Sequence, residues 1–357
     1  MITISLCMIV KNEEDVLERC LRSAAPCVDE IIIVDTGSTD RTKEIAKGFT
    51  DKVYDFTWCD DFAAARNTSF SYASKDYCMW LDADDVLLEK EQKKLLALKK
   101  KLGKDVDMVM AKYHTAFDKE GNPTFTYYRE RLIRNHTELQ WVGAVHEVIP
   151  PAGRVIHTDF AVAHKKLHPS DPDRNLRIFE KLLAEGKELD PRQQFYYGRE
   201  LYYHARYTDA IAVFDAFLNE GKGWVENEID ACQHLSYCHQ KLGQVELALG
   251  DLFRSFRYDA PRAEICCGIG NWHLTYGQIE TAIFWFELAL TRKRKDEGGG
   301  FISPDCYGYV PHMQLCVCFD RLGDSGRAIA HNEAAGKLKP DDPAYLYNKE
   351  YFARKKA

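Results

Sequence analysis

The chain changes its hydrophobic period near residue 165, and no single layer architecture accommodates both halves. Before that point, short β-rich runs alternate with helical patterns. Ile2 to Val10 reads as a strand, and Asn12-Glu13-Glu14 then opens a helix carrying Val16, Leu17, Cys20 and Leu21 on one face. Asn12 suits the N-cap, and the two glutamates suit the positive end of the helix dipole. Glu30 to Val34 is a continuous β-branched run, as expected of a strand buried on both faces. Asp35 to Asp40 turns the chain, and Arg41 to Phe49 returns as a helix. This alternation predicts an α/β domain with a mostly parallel, Rossmann-like, doubly wound sheet. After Asp85 comes a Lys-rich helix with Leu88, Leu95, Leu98 and Leu102 as its apolar side and the lysines as a solvated face.

Lys166 to Asn175 holds two prolines among polar residues and reads as a linker, which divides the chain into domains at 1–168 and 169–357. Beyond it the strand signals vanish. Ala205, Gly243, Gly277 and Gly323 occupy one recurring position, each followed five residues later by Ala210, Ala248, Ala282 and Ala328. The middle interval is 34 residues, the flanking ones are longer, and the loop from Glu297 to Phe301 stretches the last. Small residues would let paired helices approach closely, with aromatics such as those of Ala282-Ile283-Phe284-Trp285-Phe286 filling the groove between repeats. The C-terminal half resembles degenerate tetratricopeptide repeats, an all-α repeat domain. Such repeats are binding surfaces that do no chemistry; buttressing the first domain or forming a homodimer are competing roles.

Composition narrows the function classes. A net charge of -7 argues against nucleic-acid or anionic-lipid partners. No apolar run approaches the roughly 20 residues that span a bilayer. Met1 to Leu6 lacks the basic region and cleavage site of a signal peptide, so a cytoplasmic chain is expected. The twelve cysteines show no zinc-knuckle spacing and read as reduced, buried thiols.

Chemistry concentrates where the apolar segment Tyr77-Cys78-Met79-Trp80-Leu81 runs into Asp82-Ala83-Asp84-Asp85. One reading is a surface turn rich in Asp. The other is a set of acids at the carboxyl end of a buried strand, where open sheets bind ligands and carboxylates hold a divalent cation. Asp35 ends another strand, so the three carboxylates Asp35, Asp82 and Asp84 can share one crevice suited to a nucleoside diphosphate and a metal. No Walker sequence and no G-x-G-x-x-G is present.

Three segments in order, Met8 to Glu14, Val34 to Asp40 and Leu81 to Asp84, together resemble family 2 glycosyltransferases of the GT-A fold. Trp58 to Asn67 resembles the segment these enzymes use near the sugar nucleotide. The added repeats and Val145-His146-Glu147 narrow the likeness to repeat-bearing bacterial members, which include peptide S-glycosyltransferases of bacteriocin precursors and lipopolysaccharide-core enzymes. The resemblance implies that Val10, Asn12, Glu13 and Asp35 hold the base and ribose of a UDP-sugar, with Asp35 reading the uracil edge. It implies that Arg66 and Asn67 support the ribose and diphosphate, that Asp82 contacts ribose or metal-bound water, and that Asp84 ligates Mn²⁺ or Mg²⁺. A late histidine often completes such a site; His164, ending the short strand Ala161 to His164, fits that place, with His157 as rival. For inverting transfer, Glu147 is the first choice as base and His146 the alternative, and strand alternation lets only one face the crevice. Trp141 lines the sugar or acceptor pocket or is a core residue, and Asp85 supports its neighbours.

The resemblance thus implies an inverting hexosyltransferase acting on a peptide, protein or glycan acceptor, a Cys or Ser side chain among them. A non-catalytic adaptor with a decayed first domain is the alternative class, and a nucleotidyltransferase would share the same acidic crevice.

Overall fold

A computed structural model describes residues 1–118, 121–168, 171–294, 300 and 302–356. The chain divides into two compact units, Met1–Glu188 and Leu189–Ala357.

The first unit is built on one eight-stranded sheet of order β3-β2-β1-β4-β7-β6-β8-β5. Its strands are β1 (Ile4–Val10), β2 (Glu30–Asp35), β3 (Val53–Asp55), β4 (Tyr77–Trp80), β5 (Asp85–Val86), β6 (Met108–Phe117), β7 (Pro123–Arg134) and β8 (Val155–His164). The helices are α1 (Leu17–Ala24), α2 (Thr42–Lys47), α3 (Phe62–Ser71), α4 (Glu89–Lys101) and α5 (Arg174–Ala184). Strands β3, β2, β1 and β4 run parallel. Ile4, Leu6 and Met8 pack into one apolar cluster while Cys7 joins Ile32 and Cys78 in another. Alternate side chains thus bury opposite faces, which is why these strands read as unbroken apolar runs. The parallel run stops at β4, whose other neighbour β7 is antiparallel both to it and to β6.

Register places the site. Val10 pairs with Asp35 and Cys7 with Trp80, so β1, β2 and β4 release their chains at one edge of the sheet. Asp85 pairs with His164, which brings the end of β8 to the same turn.

Several local expectations change. Helix α1 begins at Leu17, not at Asn12. Asn12 instead takes a left-handed conformation with φ 54°, which Asn tolerates better than most residues. Leu88, just ahead of α4, is exposed, and Lys99 within it is buried, its Nζ 2.7 Å from Asp29 and 2.9 Å from the carbonyl of Cys27. All twelve cysteines are free thiols, ten of them buried. Helix α5 lies in the first unit, beyond the 168/169 division expected from composition; Phe179 is buried there and Lys181 pairs with Asp60 at 2.5 Å. Pro169 and Ser170 of the expected linker lie outside the described residues, as do Glu297, Gly298, Gly299 and Phe301 of the later loop.

The second unit is helical: α6 (Pro191–Tyr203), α7 (Tyr207–Glu220), α8 (Val225–Lys241), α9 (Val245–Arg254), α10 (Ala263–Thr275), α11 (Ile279–Thr291), α12 (Tyr309–Arg321), α13 (Ser325–Leu338) and α14 (Pro343–Lys356). The first eight form four tetratricopeptide-like hairpins. Ala210, Ala248, Ala282 and Ala328 are completely buried. The recurring small residue has a different cause from the one its sequence suggests. Ala205, Gly243, Gly277 and Gly323 all have positive φ, 57° to 79°, and end the first helix of each pair. At Gly277 the closing bonds run from Gly277 N–H to Leu274 O and from Gln278 N–H to His273 O, the Schellman pattern. A Cβ at Gly243, Gly277 or Gly323 would meet nothing within 4 Å, so conformation, not close approach, demands glycine. Close approach occurs elsewhere: a Cβ at Gly198 would stand 2.7 Å from Phe214, and one at Gly270 2.8 Å from Phe286. Phe214 and Phe286 therefore pack within a hairpin and Phe284 is exposed, while Trp285 fills the groove to the preceding repeat, its ring 5.7 Å from that of Phe253 and 6.1 Å from that of Phe256.

Candidate functional site

Asp35 closes β2 in a buried position. Its Oδ1 accepts from the backbone N–H groups of Gly37 (3.0 Å) and Ser38 (2.9 Å), which bends the chain sharply off the strand. Its Oδ2 is buried and has no hydrogen-bond partner among the described residues. A buried carboxylate oxygen without a donor is costly, and a ligand N–H is one way to satisfy it. The turn after Asp35 is tied down by Asn12, whose Oδ1 accepts from Thr39 N–H at 2.8 Å and whose N–H donates to Ser38 Oγ at 2.9 Å. Val10 contributes its carbonyl, which accepts from Thr36 N–H at 2.9 Å, and Glu13 N–H donates to Thr42 Oγ1 at 2.7 Å. Burial, then the charges of Asp84 and Asp82, push the Glu13 carboxyl up to about 7. The acidic turn that follows β4 is therefore within electrostatic reach of Glu13.

Arg66 organises that turn from α3, a helix whose N-cap Asp61 accepts from Ala64 N–H at 2.9 Å. Arg66 is buried, with Nη2 2.8 Å from Asp82 and Nε 2.7 Å from Glu147. Its guanidinium carbon lies 4.9 Å from the ring centres of both Trp80 and Trp141. Burial alone would lower its proton affinity, but Asp82 and Glu147 raise it above the ordinary arginine value. Burial opposes ionisation of Asp82 as well, and Arg66 outweighs it, so that carboxyl lies below the usual range. Nη1 of Arg66 is buried without a partner among the described residues, a donor left over beside two carboxylates.

At the end of β8, His164 Nδ1 stands 3.2 Å from Asp84 Oδ1, 3.1 Å from Asp85 Oδ1 and 2.9 Å from the hydroxyl of Tyr113. Burial disfavours the imidazolium, but hydrogen bonds to Asp84 and Asp85 push the ring up to about 10. Asp84, Asp85 and His164 each offer a ligand atom, all within 4.8 Å of one another. Two carboxylate oxygens and an imidazole nitrogen suit a divalent cation such as Mn²⁺ or Mg²⁺. His157 is elsewhere, its ring edge-on to Tyr128 with centroids 4.8 Å apart.

The segment from Trp141 to Val148 is a loop closed by a bridge between Val142 and Val148, not a strand. The left-handed φ of Gly143 (94°) and His146 (53°) bends it, so no strand ladder forms. His146 and Glu147 still diverge. His146 lies over Phe179, with centroids 6.5 Å apart, and its Nε2 is 3.4 Å from Asn175; Glu147 turns to Arg66. Asn67 clamps the start of the loop: its Nδ2 donates to Trp141 O and its Oδ1 accepts from Trp141 N–H, each at 2.9 Å. Both ends of the amide are thereby engaged by backbone, away from a ribose or diphosphate. Trp141 is buried and packs edge-on to Trp80 at 5.2 Å, so it supports the site from beneath more than it lines a pocket.

Tyr113 and Arg131 were not singled out by sequence. Arg131 is fully buried in β7 and reaches Trp80 O at 3.0 Å. The available signal was the charged triplet Arg129-Glu130-Arg131 inside an otherwise strand-like run.

Residues 5–159 match the family model described as glycosyl transferase family 2. The chain is 36% identical over 151 residues to a TPR repeat-containing protein of Synechococcus elongatus, covering 42% of this chain and 36% of that one. It is 28% identical over 235 residues to the SPbeta prophage-derived glycosyltransferase SunS of Bacillus subtilis, covering 62% of this chain and 54% of that one. The chain thus spans between about a third and a half of the length of these relatives. Among solved structures it is similar to MamA of Desulfovibrio magneticus RS-1, with 20% identity and a TM-score of 0.38 over 49% of this chain and 89% of that one. No helix among the described residues is long and apolar enough to cross a membrane. The matched residues 5–159 take in Asp35, Arg66, Asp82, Asp84 and Glu147, so this part of the chain is similar to glycosyl transferase family 2 domains, and His164 lies just beyond the match.

Proposed function

We propose that this chain is an inverting, metal-dependent glycosyltransferase that moves a hexose from a UDP-sugar to an acceptor. The observation that carries the reading is the unpartnered Oδ2 of Asp35 on the same sheet edge as the Asp84–His164 pair. Asp35 takes the uracil N–H, while Val10, Asn12 and Glu13 hold the base and ribose. Asp82 contacts the ribose, and Nη1 of Arg66 meets the diphosphate or a donor hydroxyl. Asp84 and His164 hold Mn²⁺ or Mg²⁺. When bound, the cation neutralises charge on the departing diphosphate.

Glu147 takes the acceptor proton as the nucleophile forms its bond to the anomeric carbon from the face opposite UDP, and the bond from that carbon to the diphosphate oxygen breaks. Its side chain is 13% exposed and shares Arg66 with Asp82, whereas His146 is turned toward α5; this favours Glu147 over His146 as base. The repeats present the acceptor, a Cys or Ser side chain of a peptide or protein, or a hydroxyl of a cell-surface glycan.

Calorimetric titration of the full chain with UDP, with and without Mn²⁺, tests this. Metal-dependent binding is expected, and its absence would leave the adaptor reading. A screen of UDP-sugars, followed by the intact mass of candidate acceptors, identifies the group transferred. A product carrying the nucleotide itself would make the chain a nucleotidyltransferase.

A further inference from the structure

One buried hydroxyl joins His164 to the acidic turn. Tyr113, on β6, donates to Asp85 Oδ1 at 2.8 Å and lies 2.9 Å from Nδ1 of His164. Asp85 is fully buried, and both its oxygens are engaged. Oδ1 meets Tyr113 and His164; Oδ2 accepts from the backbone N–H of Asp82 at 3.0 Å and lies 3.5 Å from Nη1 of Arg131. Arg131 in turn lies with its guanidinium carbon 3.7 Å from the Trp80 ring centre and 4.3 Å from that of Tyr113. Its Nε and Nη2 are buried without partners among the described residues.

We infer that Tyr113 is a positioning residue of the cation site, acting through the buried carboxylate of Asp85, which joins the Asp82–Asp84 turn to the ring of His164. The inference rests on the cation site proposed above. Asp85 is less suited to ligation than Asp84, because its lone pairs are committed and its side chain has no exposure, against 20% for Asp84. A buried carboxylate needs a countercharge, and Arg131 supplies it from the sheet interior. With Oδ2 fixed to the backbone of Asp82, Oδ1 can hold the His164 ring in one orientation, and the phenol of Tyr113 closes the remaining freedom on both. Such outer partners of a metal ligand set its affinity without touching the metal. Tyr113→Phe removes one oxygen and leaves the ring packing against Tyr127, whose centroid is 5.6 Å away.

The test is a Mn²⁺ titration of the full chain at saturating UDP, with free Mn²⁺ read by electron paramagnetic resonance. Tyr113→Phe is expected to weaken Mn²⁺ binding about tenfold, and Asp85→Asn by more, toward the upper end of a roughly 10–100-fold range. The thermal midpoint of Tyr113→Phe should be unchanged, and turnover should recover at high Mn²⁺. Unchanged Mn²⁺ affinity in Tyr113→Phe overturns the inference, as does a loss that tracks a fall in thermal midpoint, which marks a packing role. Should Tyr113→Phe not fold, an unchanged Mn²⁺ affinity in Asp85→Asn overturns it equally. A parent chain that binds no Mn²⁺ would instead remove the cation site itself.

Discussion

The left-handed position that ends the first helix of each hairpin can be tested in both directions. Ala205 holds φ 57° where its three counterparts are glycine. A left-handed non-glycine residue costs roughly 1–2 kcal/mol, and glycine loses roughly 0.5–1 kcal/mol through its freer unfolded state. The difference predicts that Ala205→Gly stabilises the chain by about 0.5–1 kcal/mol. The hydrogen bonds are not at stake, since Ala205 N–H already reaches Tyr202 O at 3.0 Å and Arg206 N–H reaches Leu201 O at 2.9 Å. The reverse exchange, Gly277→Ala, should destabilise by a similar amount through backbone conformation alone, because its Cβ meets nothing within 4 Å. Gly270→Ala supplies the contrast: there the Cβ would stand 2.8 Å from Phe286, and steric overpacking predicts a loss of roughly 1–3 kcal/mol. Urea titration followed by circular dichroism reads these as midpoint shifts at constant slope. In thermal scans each kcal/mol corresponds to about 2–4 °C for a unit of this size. A lower midpoint for Ala205→Gly, or a neutral Gly277→Ala, would refute the conformational account.

Other expectations concern the first unit. Asp84→Ala should abolish metal-dependent UDP binding while the circular dichroism spectrum stays intact; unchanged affinity by calorimetry would remove Asp84 as a ligand. Glu147→Gln should keep donor binding and lower turnover by roughly 10²–10⁴-fold; near-normal turnover in a product assay would move the base role away, first to His146. Burial alone would push the Glu30 carboxyl up, but hydrogen bonds from Lys52, Ser5 and Ser74 bring it down to about 2. A carboxyl lowered in the folded state stabilises above its ordinary value near 4.5 and loses that contribution as pH falls toward 2. Glu30→Gln should therefore flatten the decline in stability over that acid range, and an unaltered pH profile of the urea midpoint would contradict the assignment.

Much of the architecture is legible because it rests on periodicity. The strand-helix alternation and the small-residue repeat depend on burial, which leaves a trace at every turn. The acidic end of β4 is visible for the same reason: an apolar strand must stop where its acids begin. Directions of single side chains are less visible. Asn67 carries an amide that suits a ribose as well as a backbone, and only its 2.9 Å contacts with Trp141 separate the two. His146 and Glu147 look like strand neighbours, yet a left-handed residue sends them apart within a loop. Tyr113 and Arg131 are hidden because a buried polar network is set by register between distant strands, which no local pattern records.

The clamp between Asn67 and Trp141 has a consequence for how such domains can be recombined. The loop that carries Glu147 is anchored by an amide belonging to a helix 74 residues earlier. An aspartate there would lose the donor, and an alanine both bonds. A chimera that imports the 141–148 segment from another protein inherits a working loop only if residue 67 in the host is asparagine. Exchange of the 141–148 loop in this scaffold is therefore a two-part operation, and swaps that ignore α3 should yield folded proteins with a displaced Glu147.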